Sequence, residues 1–215
     1  MGQYGFLFDS EACIGCKTCQ MACKDKNDLP VGPLYRRVME WENGEWQASA
    51  DGCAHVPEGL FAYFVTVSCN HCENPACVAV CPTGAMQKDP DTGVVWNDHE
   101  TCIGCGACAQ ACPYGAPQMR EDLGVMGKCD FCQDRLEQGK DPACVAVCAL
   151  RALKWGDIDE LRAEYGLGDV ETEPLPANTT DPCLVLLPHP KAPKSGSGIG
   201  EDPSIAYERG VNPNA

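Results

Sequence analysis

The chain has 215 residues, of which 44% are hydrophobic and 22% charged, a composition typical of one or two soluble globular domains. Its formal net charge of −15 argues against a nucleic-acid or anionic-lipid partner, because like charges repel. Its eighteen cysteines, about 8% of the residues, predict a metal or disulfide scaffold. The apolar runs are too short to span a bilayer and the start resembles no signal peptide, so we expect cytoplasmic synthesis and no membrane span.

The first predicted element is a cysteine run close to the start of the chain. Its residues CIGCKTCQMAC have the spacing C-x2-C-x2-C-x3-C, which is that of bacterial ferredoxins with [4Fe-4S] clusters. Gly15 allows the positive φ that a loop curled round a cluster needs, and Ile14 is expected to shield the cluster from water. The predicted ligands of this first run are Cys13, Cys16, Cys19 and Cys23.

An insertion at residues 31–67 follows the first run and is predicted to contain a β-hairpin. Asn43 and Gly44 form a dipeptide that favours a tight hairpin turn, and they lie between Trp41 and Trp46. The apolar segment FAYFVTV at residues 61–67 predicts a further strand that leads into the next cysteines.

The second and third cysteine runs come next and are joined by a short link. The second run, CNHCENPACVAVC, widens the middle gap to four residues, whereas the third, CIGCGACAQAC, repeats the compact spacing with a glycine at Gly104. The link predicts a β-hairpin that turns at residues 91–93 and resumes at Val94. The predicted ligands are Cys69, Cys72, Cys77 and Cys81 in the second run and Cys102, Cys105, Cys108 and Cys112 in the third.

The fourth run has a middle gap of eleven residues and repeats the segment PACVAVC of the second run, which indicates an internal duplication. Its predicted ligands are Cys129, Cys132, Cys144 and Cys148. A short helix is predicted to begin after the N-cap residue Asp157 and to end at Gly166. From Glu171 onward the chain is rich in Pro, Gly, Ser and Asn, so residues 171–215 are expected to form an extended tail that becomes ordered on a partner, with a disordered end as the alternative.

Other uses of these cysteines are less consistent with the spacing. Cysteines three residues apart are badly placed for disulfides, and the start of the chain predicts no export signal of its own. A zinc-stabilised interaction module would use C-x2-C pairs but leaves the third cysteine of the compact runs unexplained. Cys53 and Cys183 stand alone and are expected to be small, partly buried thiols and not ligands, and the histidines have no metal-ligand spacing.

Four runs predict two modules, because the fourth cysteine of each run in a two-cluster ferredoxin ligates the other cluster. The expected fold class is therefore α+β, with two bacterial-ferredoxin-like two-cluster modules, a β-hairpin insertion and an extended C-terminal tail. The short link favours pairing the second run with the third. A sequential pairing, of the first run with the second and the third with the fourth, is the alternative.

Four segments in this order resemble the iron-sulfur subunit of anaerobic dimethyl sulfoxide reductase, within the four-cluster electron-transfer subunits of molybdopterin oxidoreductases. They are YGFLFDSEACIGCKTCQMACKDKNDL, SCNHCENPACVAVCPTGAM, CIGCGACAQACPYGAPQ and KCDFCQDRLEQGKDPACVAVC. The resemblance implies four [4Fe-4S] clusters and a pairing of the first run with the fourth. The implied ligand sets are Cys13, Cys16, Cys19 and Cys148; Cys129, Cys132, Cys144 and Cys23; Cys69, Cys72, Cys77 and Cys112; and Cys102, Cys105, Cys108 and Cys81.

The resemblance also implies a domain organisation. An outer module would comprise residues 1–30 and 120–170, and an inner module residues 68–119. The insertion would occupy residues 31–67, and the partner-binding tail residues 171–215. Ala149 stands where relatives often have proline, a difference that touches the loop after Cys148 and no ligand.

The function implied by the resemblance is electron transfer without bond-making chemistry, so the chain has no catalytic residues of its own. Electrons from an integral membrane quinol-oxidising subunit would enter the inner module and leave from the outer module toward a molybdopterin catalytic subunit. The chain would be associated with the membrane through these partners, on the extracytoplasmic face by export together with the catalytic subunit, with the cytoplasmic face as the alternative. A free-standing soluble polyferredoxin is the alternative, although such a carrier needs neither the insertion nor the tail.

Overall fold

The computed structural model describes residues 2–196 and combines short helices with short strands, which is the predicted α+β class. Most elements are short because the segments between them form the cysteine loops. In chain order the elements are β1 (Tyr4–Asp9), α1 (Thr18–Lys26), β2 (Arg37–Ala48), β3 (His55–Val67), α2 (Ala76–Ala79), β4 (Met86–Lys88), β5 (Val95–Asn97), α3 (Ala107–Ala111), β6 (Gln118–Arg120), β7 (Val125–Gly127), α4 (Gln133–Leu136), α5 (Ala143–Ala146), β8 (Leu153–Asp157), α6 (Ile158–Tyr165) and β9 (Leu184–Leu187).

A three-stranded sheet joins the first and last parts of the described residues. Its strand order is β8-β1-β9, with β1 antiparallel to β8 and parallel to β9. The four central residues of β1 are all buried, which fits a continuous apolar run covered on both faces. One face contributes Phe6 and Phe8 to the main core, and the other packs Leu7 against Ile158 and Leu161 of α6.

The expected extended tail is wrong for residues 171–196, which fold back onto the rest of the protein. Leu175 is 3% exposed, and Val185 and Leu186 in β9 are fully buried. The Pro- and Gly-rich composition of the segment predicted a tail in spite of its apolar run LVLL. That run forms β9 because it pairs with β1, which is far away in sequence. Residues 197–215 of the predicted tail lie outside the described residues.

The insertion forms a hairpin of β2 and β3, but its turn is not at Asn43-Gly44. Strand β2 continues through these residues, where the register shifts and Gly44 has φ 117°, so they form a β-bulge. The chain reverses at residues 49–54, where the Ser49 N–H donates to the Ala54 carbonyl at 2.8 Å. The Asp51 carboxylate accepts hydrogen bonds from the Ser49 hydroxyl and the Cys53 N–H, which close this loop. Both strands therefore extend beyond the dipeptide.

Further hairpins separate the later cysteine runs, and helices of different runs pack together. The predicted hairpin between the second and third runs is present as β4 and β5, and β6 pairs with β7 before the fourth run. Helix α1 packs against α5, and α2 packs against α3. Elements of the first run therefore contact elements of the fourth, and elements of the second contact elements of the third.

Helix α6 begins and ends as predicted. The Asp157 carboxylate accepts the backbone N–H groups of Asp159 and Glu160, and Gly166 follows the last helical residue. This helix buries Ile158 and Leu161 against β1. Among residues 2–196, no helix is long and apolar enough to cross a membrane.

Candidate iron-sulfur sites

All four cysteine runs share one backbone conformation at their opening C-x2-C. The residue before the second cysteine has positive φ in each case, with values of 66° at Gly15, 44° at His71, 65° at Gly104 and 64° at Phe131. A left-handed residue costs glycine little, but it costs other residues about 1–3 kcal/mol. His71 and Phe131 are both fully buried and pack edge to face at 5.0 Å, so the surrounding structure holds them in this conformation.

The glycine loops are closely packed, which explains why these two runs have no side chain there. A Cβ atom on Gly15 would lie 2.4 Å from the Phe64 ring of β3, and one on Gly104 would lie 2.5 Å from the Gly124 carbonyl oxygen. The residue before each glycine, Ile14 or Ile103, is 65% exposed in both loops. These two isoleucines therefore lie at the protein surface. That they shield a cluster from water stays a prediction.

The helices bring cysteines of different runs together. Helix α1 carries Cys19 and Cys23, and its partner α5 carries Cys144 just before Cys148. Burial raises the pKa of the Cys13 thiol, and the nearby sulfurs of Cys19, Cys148 and Cys16 raise it further. We call Cys13, Cys16, Cys19 and Cys148 group 1.

A second group includes Cys23, which lies one turn beyond Cys19 on α1. Burial raises the pKa of Cys23 to about 12, with further contributions from the neighbouring Cys144 and Cys132 sulfurs. Burial also raises the pKa of Cys129 well above its usual value, and the largest contribution from a neighbouring group is that of Cys23. Group 2 consists of Cys23, Cys129, Cys132 and Cys144.

The second and third runs form two comparable groups. Burial raises the pKa of Cys77 to about 12, and the sulfurs of Cys69, Cys112 and Cys72 add to this rise. Burial raises the pKa of Cys108 to about 11, with smaller contributions from Cys102 and Cys81. Group 3 is Cys69, Cys72, Cys77 and Cys112, and group 4 is Cys81, Cys102 and Cys108 together with Cys105 from the same loop.

The four groups follow one another in a row. Cys144 of group 2 lies close enough to Cys19 of group 1 to raise its pKa, after the larger effect of burial. Cys129 of group 2 and Cys69 of group 3 belong to one packed cluster, and Cys77 of group 3 and Cys108 of group 4 belong to another. Each end of the row reaches the surface, because Cys16 and Cys105 are exposed.

Hydrogen bonds to sulfur recur in all four groups. Backbone N–H groups donate to Cys81, Cys102 and Cys129 at 3.4 Å and to Cys112 at 3.5 Å. Such bonds stabilise negative charge on sulfur and help to set the reduction potential of an iron-sulfur cluster. The Thr18 hydroxyl donates to Cys16 at 3.4 Å and lowers the pKa of that thiol.

The donor set fits [4Fe-4S] clusters. Thiols whose pKa is raised by burial stay protonated at neutral pH unless a metal centre displaces the proton. Within residues 2–196, no three His, Cys, Asp or Glu side chains are close enough to share a single metal ion. Four runs of four cysteines supply the thiolates that [4Fe-4S] clusters use as ligands.

Cys53, Cys183 and the buried His71 belong to none of these four groups. Cys53 is exposed in the turn between β2 and β3, and Cys183 is fully buried next to β9. The Nδ1 atom of His71 accepts the Val95 N–H at 2.9 Å, so that nitrogen is engaged with the backbone.

Three residues near the groups could not be recognised in the sequence. The Thr180 hydroxyl, from the region expected to be a tail, donates to Cys72 at 3.2 Å. Arg36 and Lys128 are both buried, although nothing in the order of neighbouring residues distinguishes them from surface cations. Their positions depend on contacts between segments that are distant in sequence, which no local pattern encodes.

Comparisons with known proteins agree with the cysteine spacing. A family model described as a 4Fe-4S dicluster domain matches residues 60–158, and one described as a 4Fe-4S binding domain matches residues 4–25. The mixed α and β content and these matches support ferredoxin-like domains.

Three relatives align over most of the sequence. The B subunit of anaerobic dimethyl sulfoxide reductase from Haemophilus influenzae is 50% identical over 201 residues, which are 93% of this chain and 96% of the relative. The B subunit of the same reductase from Escherichia coli is 49% identical over 199 residues, 92% of this chain and 95% of the relative. The thiosulfate reductase electron transfer subunit of Salmonella typhi is 44% identical over 170 residues, 79% of this chain and 83% of the relative. The chain therefore belongs to the family of iron-sulfur electron-transfer subunits that includes the B subunit of anaerobic dimethyl sulfoxide reductase.

Proposed function

We propose that this chain relays electrons through four [4Fe-4S] clusters between two protein partners. The observation that carries the proposal is the row of four cysteine groups with an exposed cysteine at each end. The proposed ligands are Cys13, Cys16, Cys19 and Cys148 for cluster 1; Cys129, Cys132, Cys144 and Cys23 for cluster 2; Cys69, Cys72, Cys77 and Cys112 for cluster 3; and Cys102, Cys105, Cys108 and Cys81 for cluster 4.

The two-module arrangement belongs to the same proposal. Contacts of α1 with α5 and of α2 with α3 support pairing the first run with the fourth and the second with the third. In the sequential alternative, Cys23, the fourth cysteine of the first run, would lie near the first three cysteines of the second run. Instead it lies near Cys144 and Cys132 of the fourth run. We therefore infer an outer module at residues 1–30 and 120–170 and an inner module at residues 68–119.

When bound, each cluster accepts and donates one electron, and the residues of the chain provide the surroundings for this exchange. The curled loop of the fourth run directs the Phe131 N–H at the Cys129 sulfur, and buried side chains such as that of Phe131 exclude water. A low-dielectric, preorganised environment limits the reorganisation that accompanies each change of charge. No step makes or breaks a bond in a substrate, so the chain is proposed to be a non-catalytic subunit.

The partners are proposed from the family. An integral membrane quinol-oxidising subunit would dock near group 4, and a molybdopterin catalytic subunit near group 1. Exposed Ile103 and Ile14 beside the terminal groups would supply apolar contact at each junction. The chain would then be held at the membrane by these partners, on the extracytoplasmic face, without a span of its own.

Metal analysis of the native complex tests this function. The full chain should be purified from membranes without oxygen, together with the proteins that remain bound to it. Roughly sixteen irons per chain and molybdenum in stoichiometric amount are expected. The same iron content without a bound partner or molybdenum would favour the free-standing polyferredoxin, and a colourless zinc protein would contradict cluster binding altogether.

A further inference from the structure

Two buried cations lie beside the cysteine groups without a carboxylate partner. The exposed fraction is 2% for Arg36 and 6% for Lys128. Neither residue takes part in any of the ion pairs found within residues 2–196. A buried charge is normally paired, because taking an ion out of water costs several kcal/mol. Asp130 lines a cavity together with Lys128 but forms an ion pair with Lys26, so a negative partner for the two buried charges would have to come from elsewhere.

The surroundings of Arg36 are neutral apart from cysteine sulfur. Its guanidinium donates to the Thr66 hydroxyl at 3.3 Å and to the Ser68 hydroxyl at 2.8 Å, and it lies 4.6 Å from the centre of the Phe6 ring. The Thr66 hydroxyl is in turn 3.7 Å from the sulfur of Cys19 in group 1. One neutral hydroxyl thus separates the guanidinium from a proposed cluster ligand.

Group 2 lies on the same side of Arg36. Burial alone would lower the pKa of the guanidinium, but nearby sulfurs outweigh it and raise the pKa. Those sulfurs belong to Cys144, Cys19, Cys129 and Cys23, so three of the four are members of group 2. The Phe6 ring beneath the guanidinium also packs in one buried cluster with Cys144 of group 2, so Arg36 lies near both groups.

Lys128 occupies the corresponding position between groups 2 and 3. Its ammonium group donates to the carbonyl oxygens of Val95 and Cys129, the second at 2.8 Å. It also lines a cavity whose wall includes Cys69, Cys72, Cys77 and Cys112, the four cysteines of group 3. The single carbonyl of Cys129 connects it to group 2.

We propose that Arg36 and Lys128 are fixed countercharges that raise the reduction potentials of the neighbouring clusters, Arg36 acting on clusters 1 and 2 and Lys128 on cluster 3. This inference rests on the proposed function, because it requires the clusters to be present. Reduction adds one negative charge to a cluster, and a buried positive charge favours the reduced form in a medium of low dielectric. The chain as a whole carries a net charge of −15, which opposes reduction, so the two cations offset that field in the middle of the row.

Anaerobic redox titration of the full chain with its bound partners, followed by electron paramagnetic resonance, tests the proposal. Arg36→Gln removes the charge and should lower the midpoint potential of cluster 2 by about 59 mV, a tenfold change in the ratio of reduced to oxidised cluster. Arg36→Lys keeps the charge and should restore that ratio to within about twofold of the wild type. Lys128→Gln should lower the midpoint potential of cluster 3 by a similar amount.

Lys140→Gln is the matched control, since it removes one positive charge from an exposed position where solvent and salt screen it. Its cluster potentials should equal those of the wild type. If Arg36→Gln loses iron, Ser68→Asp takes its place, because the new carboxylate neutralises the guanidinium while Arg36 remains.

The outcomes distinguish the two proposals. Wild-type protein without four clusters overturns the proposed function. Four clusters with unchanged potentials in an iron-loaded Arg36→Gln or Ser68→Asp variant overturn the countercharge role of Arg36. An equal shift in Lys140→Gln also overturns it, because the effect would then follow from net charge and not from position.

Discussion

The residue before the second cysteine decides how each run curls. Glycine occupies this position in the compact runs, but His71 and Phe131 adopt the same left-handed backbone in the two longer runs. Their conformational cost of about 1–3 kcal/mol each is offset by full burial and mutual ring contact. One loop geometry is thus reached by two routes, through backbone freedom in one case and tertiary packing in the other.

Single side chains also act on sulfur at this scale. The Thr180 hydroxyl donates to Cys72 at 3.2 Å from a segment more than a hundred residues away. Thr180→Val removes the donor with little change of shape and should lower the midpoint potential of cluster 3 by up to about 59 mV. The shift is measured by redox titration, with Thr179→Val as control because Thr179 is exposed. A shift of equal size in both variants would contradict the hydrogen-bond explanation.

Cysteine reactivity provides a second test for individual residues. In the loaded protein under native conditions, iodoacetamide should modify Cys53 alone among the eighteen cysteines. Cys53 is exposed, whereas Cys183 is fully buried and burial raises its pKa to about 12. The other sixteen thiolates are proposed to be ligands. Peptide mapping by mass spectrometry gives the sites, Cys53→Ser should remove all labelling, and modification of Cys16 in the loaded protein would argue against its role as ligand.

At the level of secondary structure, helices of different runs pack together. Helix α1 packs against α5 and α2 against α3, which supports the proposed exchange of the fourth cysteine between runs. These helices are short, from four to nine residues, and their stability comes from this packing and not from intrinsic helix propensity. In the proposed arrangement, contacts between helices therefore decide the pairing of runs.

Reciprocal ligation predicts a selective effect for Cys81→Ser. Cys81 belongs to the second run but its thiol is near Cys108 and Cys102 of the third. The substitution should alter or eliminate the spectroscopic signal of cluster 4 while cluster 3 keeps its own. Electron paramagnetic resonance of the reduced protein, with Cys53→Ser as the control, measures this. A change confined to cluster 3 would contradict the proposed ligand sets.

Across the molecule, the first and last of the four neighbouring cysteine groups each include an exposed cysteine. The three-stranded sheet secures the outer end of this row, because β1 precedes the first run and β8 follows the fourth. Strand β9 closes the sheet on the other side of β1. Segments from the start and from the last third of the sequence thus contribute to holding groups 1 and 2 together.

The contribution of β9 can be measured with Leu186→Ala. Leu186 is fully buried opposite Phe8, and truncating such a side chain costs about 2–5 kcal/mol of unfolding free energy. A protein of this size should then lose its visible absorption at a temperature lower by roughly 2–4 °C for each kcal/mol, at a fixed heating rate without oxygen. Leu167→Ala is the control, since Leu167 is 76% exposed. Equal stability of both variants would mean that β9 adds nothing to the fold.

The chemistry of this protein could be predicted from the order of its residues. The compact runs, the hairpin of β4 and β5 and the capped helix α6 all depend on residues close together in sequence, so local spacing and turn chemistry were sufficient to predict them. The cysteine types and spacings also predicted the kind of cofactor, which agrees with the matching family models.

Contacts between segments that are distant in sequence, in contrast, could be recognised only in the tertiary structure. The hairpin turn lies at residues 49–54 and not at Asn43-Gly44, because pairing along the full length of β2 and β3 outweighs a local turn preference. The apolar run of β9 folds against β1, and Arg36 and Lys128 are buried beside sulfur. Strand pairing and the burial of charge depend on partners far away in sequence, and composition averaged over a segment contains no information about them.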